Sequence, residues 1–332
     1  MDYPLAIAVT LVTSWLLTGL ASWYAASAGL IDHPGERHSH AQPTPRGGGA
    51  GLVLALVFGS LMFAGDPIPQ YWVRCVLPGV VCLAILGWWD DHRSLSVRLR
   101  LSVQLAVSMY LLWCAGGREW LVGAVPMLAG GVFIVWMTNL YNFMDGSNGM
   151  AGLQGVFVGC VMAWLFGASG ETGMAMIAFL LAAACLGFLP WNLGQARVFM
   201  GDVGSLVLGF TIAALLLYGA GSGAIDPPVA WLVTLLFMTD STLTLLVRVM
   251  RRERWYNAHR QHLYQRLIAR GWSHGRVVAF YQAINLALVL PAIGVAVGYP
   301  ALAWPLALFI TILLAGGWYL LTKKIGVLAR AR

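Results

Sequence analysis

Charge is scarce in this sequence. Only 10% of the 332 residues are Asp, Glu, Lys or Arg, whereas 59% are hydrophobic; a soluble domain carries roughly 25% charged residues. Three stretches, residues 120–144, 172–196 and 277–322, contain no charged side chain at all. A helix needs about 20 such residues to cross a bilayer. The composition excludes an ordinary soluble domain and predicts an all-α integral membrane protein.

The hydrophobic runs predict about eleven spanning helices in a single polytopic domain, residues 1–332. The first run is not expected to be a signal peptide, because Asp2 and no cation precedes it. The predicted spans are residues 5–24, 49–64, 71–89, 99–115, 120–140, 150–167, 173–189, 203–219, 228–248, 277–298 and 301–321.

Positive charge is nearly missing from one face of the predicted bundle. Of the 20 Lys and Arg residues, all but Arg74 and Arg118 lie on the other face, which holds the C-terminus and loops 25–48, 90–98, 141–149, 190–202 and 249–276. Because cytoplasmic loops carry the excess of Lys and Arg, we expect that face to be cytoplasmic and the N-terminus to lie outside. A face this basic suits anionic lipid headgroups or a phosphorylated substrate, although membrane proteins in general show some of this bias.

Cysteine is also rare. The five Cys residues fall within or beside predicted spans, and no Cys-x-x-Cys pair exists. We expect buried, inert thiols rather than disulfides or metal ligands.

Ionisable side chains are nearly absent from the middle of the predicted spans. Asp240 is the exception, and we expect it to face the protein interior, because a charge at the bilayer centre costs about 2.5–3.5 kcal/mol. All seven His residues lie in the predicted cytoplasmic loops. A transporter needs polar groups along a path, and Asp240, Gln104 and Asn285 are too few for one. The distribution favours an enzyme over the two alternatives, a lipid-linked-sugar flippase and a non-catalytic scaffold.

Residues 191–205 form a polar stretch between two long apolar runs. The stretch contains Asp202 and Asn192, with Gly201 and Gly204 beside the carboxylate. Such a loop can hold a metal ion and let phosphate oxygens approach the backbone. The simpler alternative is a connecting loop in which Asp202 caps the next helix.

Two further loops place carboxylates at the same edge. Asp90 and Asp91 are adjacent, so their charges repel unless a cation joins them or one protonates. Residues 139–150 contain Asn142, Asp145 and Asn148 among glycines. A bound divalent cation accounts for both groups, whereas hydrated acids and a capped helix turn are the alternatives.

The first predicted cytoplasmic loop is basic and rich in Gly and Pro. It contains His40 and Arg46, and its Gly and Pro residues exclude a regular helix. A flexible anion-binding lid and a merely solvated basic loop both fit this composition.

The last predicted cytoplasmic loop gathers Arg and His. From Tyr256 to Ile268 its pattern is amphipathic, which predicts a helix whose Leu side chains lie on the bilayer. Anchoring to lipid headgroups accounts for part of the cluster. His259, Arg260 and His262 indicate phosphate binding instead, because His anchors poorly but donates well to phosphate.

Taken in order, these loops resemble the motifs of the polyprenyl-phosphate N-acetylhexosamine-1-phosphate transferase superfamily, glycosyltransferase family 4. The resemblance covers nearly the whole chain. The matching motifs are Asp32-x-Pro34-x-x-Arg37-x-x-His40 with Pro45-x-Gly47-Gly48, Asp90-Asp91, Asn142-x-x-Asp145-Gly146, Asn192 with Phe199-Met200-Gly201-Asp202-x-Gly204-Ser205, and His259-Arg260-Gln261-His262.

The sequence departs from the family pattern at two points, and the second, in the last loop, indicates the branch. Many members have a second Asp where this chain has Asn148. The last loop has His-Arg-x-His rather than the three-His run of the peptidoglycan branch. The sequence is therefore more similar to the branch that initiates O-antigen synthesis.

The resemblance implies an activity and its partners. An N-acetylhexosamine-1-phosphate would pass from a UDP-N-acetylsugar to polyprenyl (undecaprenyl) phosphate in the bacterial inner membrane, with release of UMP. Mg²⁺ is the expected cofactor, with Mn²⁺ as an alternative ion. No nucleic-acid partner is expected, and a homodimer is left open.

The resemblance also implies roles for individual residues. Asp202 is expected to be the principal Mg²⁺ ligand with Asp91 near the metal, and Asp90 to orient or deprotonate the lipid phosphate. Asn142 and Asp145 would support the metal and the diphosphate. The expected catalytic set is Asp90, Asp91, Asp145 and Asp202. The expected substrate-binding set is His40, Arg46, Asn142, Asn148, Asn192, Phe199, His259, Arg260 and His262, with Asn192 and Phe199 recognising uridine.

Overall fold

The fold is nearly all helical in this computed structural model. The structure describes residues 3–32, 43–63, 69–115, 124–253 and 259–326. Two short strands, β1 (Ile31–Asp32) and β2 (Thr44–Pro45), pair antiparallel. The helices are α1 (Tyr3–Ser27), α2 (Gly49–Phe63), α3 (Leu77–His92), α4 (Val97–Ala115), α5 (Ala124–Met144), α6 (Met150–Ala168), α7 (Thr172–Asn192), α8 (Gly201–Ser222), α9 (Pro227–Met250), α10 (Leu263–Ala269), α11 (His274–Ile284), α12 (Leu290–Gly298) and α13 (Pro300–Ile325).

Within the described residues, 9 helical stretches are long and apolar enough to cross a membrane. This confirms a multi-pass, all-α integral membrane protein. Each of the remaining predicted spans also contains a helix. Helix α2 is shorter than the nine, and α4 carries Arg98 and Arg100 in its first turn.

Two helical stretches contain a π-helical segment just before a proline. Residues Tyr71–Val76 lead into α3, whose second residue is Pro78, and Asn285–Val289 lead into α12, whose second residue is Pro291. Proline has no N–H for the usual hydrogen bond one turn back. The wider π turn absorbs this missing donor without ending the span.

Helix α8 is the centre of the bundle. It packs between α3 and α5, while α7 packs against α1 and α6. Most of α8 is buried by protein, whereas α1 and α13 leave large apolar side chains such as Leu20 and Phe309 exposed. In a membrane protein such exposure is the expected lipid-facing surface.

The expectation that all Cys residues are inert thiols is wrong. Cys75 and Cys114 form a disulfide, with Cα atoms 5.4 Å apart. The bond joins the start of the α3 span to the last turn of α4, far from the carboxylate pair at the other end of α3. Cys185 is buried as expected, while Cys82 and Cys160 are exposed on the apolar surface. Cys75 and Cys114 are 39 positions apart, so no short Cys motif marked them as a pair.

Asp240 faces the interior, as predicted. Its side chain is 2% exposed. Its carboxylate accepts hydrogen bonds from the Tyr281 hydroxyl at 2.7 Å and the Trp318 indole at 3.1 Å. These hydrogen-bond donors are neutral, and the Arg266 guanidinium lies close enough to interact electrostatically with the carboxylate.

Candidate active site

The site forms where the last turn of α3 meets the first turn of α8. A Cβ atom on Gly87 would lie 2.5 Å from the backbone of Asp202, so only glycine lets the two helices approach this closely. One turn later, the Asp91 carboxylate accepts hydrogen bonds from the amides of Asp202 at 3.1 Å and Val203 at 3.2 Å. Asp91 is 3% exposed. It satisfies two free amides of α8 and complements the helix dipole.

Arg100, which was not among the predicted site residues, bridges the carboxylates of Asp90 and Asp202. Arg100 Nη1 lies 2.8 Å from Asp90 Oδ2 and 3.4 Å from Asp202 Oδ2. The second oxygen of Asp90 accepts from the Leu95 amide at 2.6 Å. Arg100 offsets negative charge on Asp90 and Asp202. The divalent cation predicted beside Asp90 and Asp91 stays a prediction. The signal for Arg100 was a charged residue inside a predicted span, one turn into α4.

The third predicted loop reaches the same point from α5. Asn142 Nδ2 donates to Asp202 Oδ1 at 2.8 Å and lies 3.0 Å from the Ser205 hydroxyl. Asp145 lies one turn further on, at the cavity. Burial, followed by the negative charges of Asp202 and Asp91, raises the pKa of Asp145 well above its usual value. A cation bound here would oppose that rise.

The described part of the first loop is packed against the stretch that precedes α8. The Phe199 amide donates to the Pro45 carbonyl at 2.8 Å, and Gly48 donates to the Phe199 carbonyl at 2.9 Å. The Arg46 guanidinium donates to the backbone carbonyl of Asp91. This segment is therefore fixed to the site rather than a free lid. His40, with Pro34 and Arg37 of the same predicted motif, lies outside the described residues.

Two predicted substrate-binding amides connect loops to each other. The Asn192 side chain accepts from the Gly149 amide at 2.6 Å and donates to the Val198 carbonyl at 3.0 Å. Asn148 Nδ2 donates to the Gly194 carbonyl at 2.7 Å. Asn192 is 3% exposed and Asn148 9%. Their side chains order the cavity wall, and their contact with uridine stays a prediction.

The last loop brings His259 and His262 to the cavity, with ring centroids 4.8 Å apart. The His262 ring stacks between Phe143 and Tyr264, 6.0 Å from each. Burial is the largest cause that lowers the pKa of His259, to about 3, and the nearby charges of His262, Arg248 and Arg266 add to it. Burial also lowers the pKa of His262.

Two expectations for this loop need correction. Within the described residues, α10 begins only at Leu263, and Leu263 and Leu267 are buried in the protein core rather than on the bilayer. The described residues that line the cavity include both histidines but not Arg260, which is partly exposed nearby. Its role at the phosphates stays a prediction.

These loops enclose a cavity of about 730 Å³ with two different parts. The polar part is lined by Ser147, His274 and six of the predicted site residues: Asp91, Asn142, Asp145, Asn148, Asn192 and Asp202. The apolar part continues between α4 and α5 and is lined by Val97, Leu101, Leu105, Val132, Val135 and Trp136. Leu105 is 50% exposed and Val132 60%, so this part opens on the outer, apolar side of the bundle.

The donor set suits a hard cation that shares its coordination with a ligand. In the described part of the chain, no group of three His, Cys, Asp or Glu side chains could hold a metal alone. Mg²⁺ commonly takes one or two carboxylates and completes its shell with water and substrate phosphates. Asp202 and Asp145 fit that pattern. Both Asp91 oxygens already accept amides, which favours a place beside a metal.

Comparison with known proteins agrees with this fold and site. Residues 73–220 match the model of glycosyl transferase family 4, and this segment runs from the α3 span through α8. It includes Asp90, Asp91, Asp145 and Asp202. Residues 73–220 of this multi-pass membrane protein are therefore similar to glycosyl transferase family 4.

The names of similar proteins indicate which kind of transferase the chain resembles. The chain is 28% identical to a Bacillus subtilis (strain 168) protein named "Probable undecaprenyl-phosphate N-acetylglucosaminyl 1-phosphate transferase", over 87% of this chain and 83% of the relative. It is 28% identical to the decaprenyl-phosphate N-acetylglucosaminephosphotransferase of Mycobacterium tuberculosis (strain ATCC 25618 / H37Rv), over 80% and 76%. It is 26% identical to the undecaprenyl-phosphate alpha-N-acetylglucosaminyl 1-phosphate transferase of Escherichia coli (strain K12), over 89% and 85%. These matches confirm the predicted resemblance to the polyprenyl-phosphate N-acetylhexosamine-1-phosphate transferase family.

Proposed function

We propose that this protein transfers N-acetylhexosamine-1-phosphate from a UDP-sugar to polyprenyl phosphate, in the first membrane step of O-antigen or another cell-envelope polysaccharide. The observation that carries the proposal is the two-part cavity. Its apolar part opens toward lipid between α4 and α5. Its polar part contains Arg100 and Asp202, and Arg100 also pairs with Asp90 beside the cavity. The names of the relatives support N-acetylglucosamine as the sugar.

The apolar part suits the lipid substrate. Leu101 and Leu105 on α4 lie one turn apart and face Val132 and Val135 on α5 across the cavity. A polyprenyl chain entering from the bilayer would lie along these side chains, because burial of apolar surface needs no specific hydrogen bond. Its phosphate would then reach Arg100, which stands at the junction of the apolar and polar parts.

The polar part suits the diphosphate and the transfer step. An oxygen of the lipid phosphate bonds to the sugar-bearing phosphorus, and the bond from that phosphorus to the bridging oxygen breaks, so that UMP leaves with the electron pair. In such reactions positioning and neutralisation of charge supply most of the catalysis. Mg²⁺ held by Asp202 and Asp145 would supply neutralising charge. Arg100 adds a fixed cation, and Asp90, held by Leu95 and Arg100, orients the lipid phosphate.

We place this site on the cytoplasmic face of a bacterial inner membrane. The charge asymmetry of the sequence supports that orientation. The disulfide supports it independently, because disulfides persist in oxidising compartments and Cys75–Cys114 lies at the opposite end of α3 and α4 from Asp90 and Arg100. UDP-sugar would then arrive from the cytoplasm.

The polar residues inside the spans do not favour the flippase alternative. Gln104 and Asn139 hydrogen-bond each other at 2.6 Å, and Asn285 donates to Gln154 at 2.7 Å. These pairs stabilise helix contacts. A path for a sugar headgroup would need polar groups that face a passage.

The test is a transfer assay with purified protein in detergent. A short polyprenyl phosphate is mixed with UDP-N-acetylglucosamine or other UDP-N-acetylsugars, with Mg²⁺, with Mn²⁺ or with a chelator. We expect metal-dependent release of UMP together with a lipid diphospho-sugar detected by mass spectrometry. UMP release without the lipid product, or no release with any donor, would refute the proposal.

A further inference from the structure

We propose that Asp240 is a positioning residue that holds two motif loops in register at the active site. This inference rests on the proposed function. Asp240 lies on α9, outside the cavity lining, and touches none of the predicted catalytic carboxylates in the described structure. Its influence must therefore pass through its contacts.

The first contact fixes the last loop. Asp240 Oδ1 accepts the Leu263 amide at 2.7 Å, and Oδ2 lies 3.4 Å from the Tyr264 amide. These are the first two amides of α10, which have no partner inside that helix. A carboxylate from α9 thereby fixes the point at which the chain leaves His259 and His262 and enters α10.

The second contact fixes the third loop. The Tyr264 hydroxyl donates to the Phe143 carbonyl at 2.8 Å. A Cβ atom on Gly146 would collide with that hydroxyl, so glycine at this position admits the phenol. Tyr264 thus sets the backbone between Asn142 and Asp145, while its ring stacks on His262.

The remaining contacts hold Asp240 itself. The hydroxyl of Tyr281 on α11 and the indole of Trp318 on α13 donate to it at 2.7 and 3.1 Å, and Thr244 donates at 3.3 Å. The carboxylate therefore connects its own helix, α9, and the neighbouring α11 and α13 to Tyr264. Burial of a carboxylate costs free energy even when neutral groups donate hydrogen bonds to it. If this position served helix packing alone, an apolar residue such as Leu would do so without that cost. The hydrogen bonds from the Leu263 and Tyr264 amides explain why an acid occupies this position.

The test is a double-mutant cycle between Asp240→Asn and Tyr264→Phe. Asp240→Leu is included as a more severe substitution at the same position. Thr239→Val is the matched control, since Thr239 is buried on α9 and bonds only within its own helix, to the Leu235 carbonyl at 2.8 Å. For each variant, kcat, the KM of both substrates and the melting temperature in detergent are measured. If Asp240→Asn does not accumulate in membranes, Tyr281→Phe takes its place, because it removes the 2.7 Å donor to Asp240.

We expect Asp240→Asn to raise the KM for the UDP-sugar about 10-fold and to lower kcat, with the KM for polyprenyl phosphate unchanged, because a small displacement of positioned groups has effects of this order. Asp240→Leu should do more. Asp240→Asn and Tyr264→Phe should be non-additive, whereas Thr239→Val and Tyr264→Phe should be additive.

Two other outcomes would contradict the inference, and they can be told apart. A lower kcat with both KM values unchanged, additive effects and a lower melting temperature would make Asp240 merely structural and overturn this inference alone. Wild-type protein that releases no UMP would refute the proposed function and this inference with it.

Discussion

The carboxylate of Asp91 binds the backbone amide of Asp202 at 3.1 Å, although the two residues are 111 positions apart. The Asp91 carboxylate therefore fixes the position of Asp202. Asp91 holds the first turn of α8 against α3, and that turn directs the Asp202 side chain to the cavity beside Arg100. Asp91 therefore fixes the first turn of α8, whereas Asp145 and Asp202 line the cavity and, within the described residues, accept no such bonds from backbone amides.

Asp202 should be the most sensitive of these residues. Asp202→Asn keeps the size of the side chain and removes one negative charge at the proposed metal. We expect at least ~100-fold loss of kcat, about 3 kcal/mol of transition-state stabilisation, with an unchanged melting temperature. Asp226→Asn is the control, because Asp226 is an exposed acid at the start of α9. Near-normal turnover in Asp202→Asn would remove Asp202 from the reaction.

Arg100 should bind the lipid phosphate. Arg100→Gln removes the cation at the junction of the apolar and polar parts of the cavity, and a charge-assisted hydrogen bond contributes about 1.5–3 kcal/mol. We expect kcat/KM for polyprenyl phosphate to fall about 10- to 100-fold. Arg98→Gln, on the same turn of α4 but exposed, should change it less than about twofold. Equal losses in both variants would indicate a general basic patch instead.

The reaction should proceed by direct attack. A phosphate monoester has a second pKa of about 6, so the lipid phosphate is already dianionic near neutral pH. Asp90 is held by the Leu95 amide and Arg100, which suits an orienting role better than a nucleophile. Labelled UMP incubated with enzyme and UDP-sugar, without lipid phosphate, should not exchange into UDP-sugar. Robust exchange that disappears in Asp90→Asn would identify Asp90 as the nucleophile of a covalent route.

Acid should weaken the last loop. The pKa of His259 is lowered to about 3 and that of His262 is also lowered, whereas an unfolded His has a pKa of about 6.5. Between those values the unfolded chain binds more protons, so stability rises with pH and falls as pH drops below about 6.5. Melting temperatures from pH 8 to 5 should decline at the acid end, and His259→Gln with His262→Gln should flatten the decline. An equal decline in the double variant would assign it to other groups.

The disulfide should be present in protein purified from membranes without reductant. Maleimide labelling of the denatured chain should modify Cys82, Cys160 and Cys185, and after reduction it should also modify Cys75 and Cys114. Replacing both by Ser should lower the melting temperature, since a disulfide typically contributes about 2–4 kcal/mol. Labelling of all five Cys before reduction would contradict the bond and its support for the proposed orientation.

The local chemistry of the sequence was sufficient for the membrane fold and for the identity of the motifs. Uncharged runs of spanning length leave few alternatives to helices. The acids at Asp90, Asp91, Asp145 and Asp202 were recognisable because charge is rare in this chain. The four were expected at one edge, and the structure brings them to the junction of α3, α5 and α8.

What each polar side chain does was decided only by the tertiary structure. Asp91 and Asp202 both lie at the edge of an apolar run, yet Asp91 accepts two backbone amides of α8 and Asp202 pairs with Arg100 and Asn142. No motif in the sequence marked Arg100 as a site residue; packing of α4 beside α3 brings it between Asp90 and Asp202. The Cys75–Cys114 bond and the contacts of Asp240 likewise depend on the packing of segments that are distant in the sequence. Sequence pattern reports what a residue can bind, but hydrogen bonds and ion pairs act over about 3–4 Å, and only packing of distant segments brings a partner within that distance.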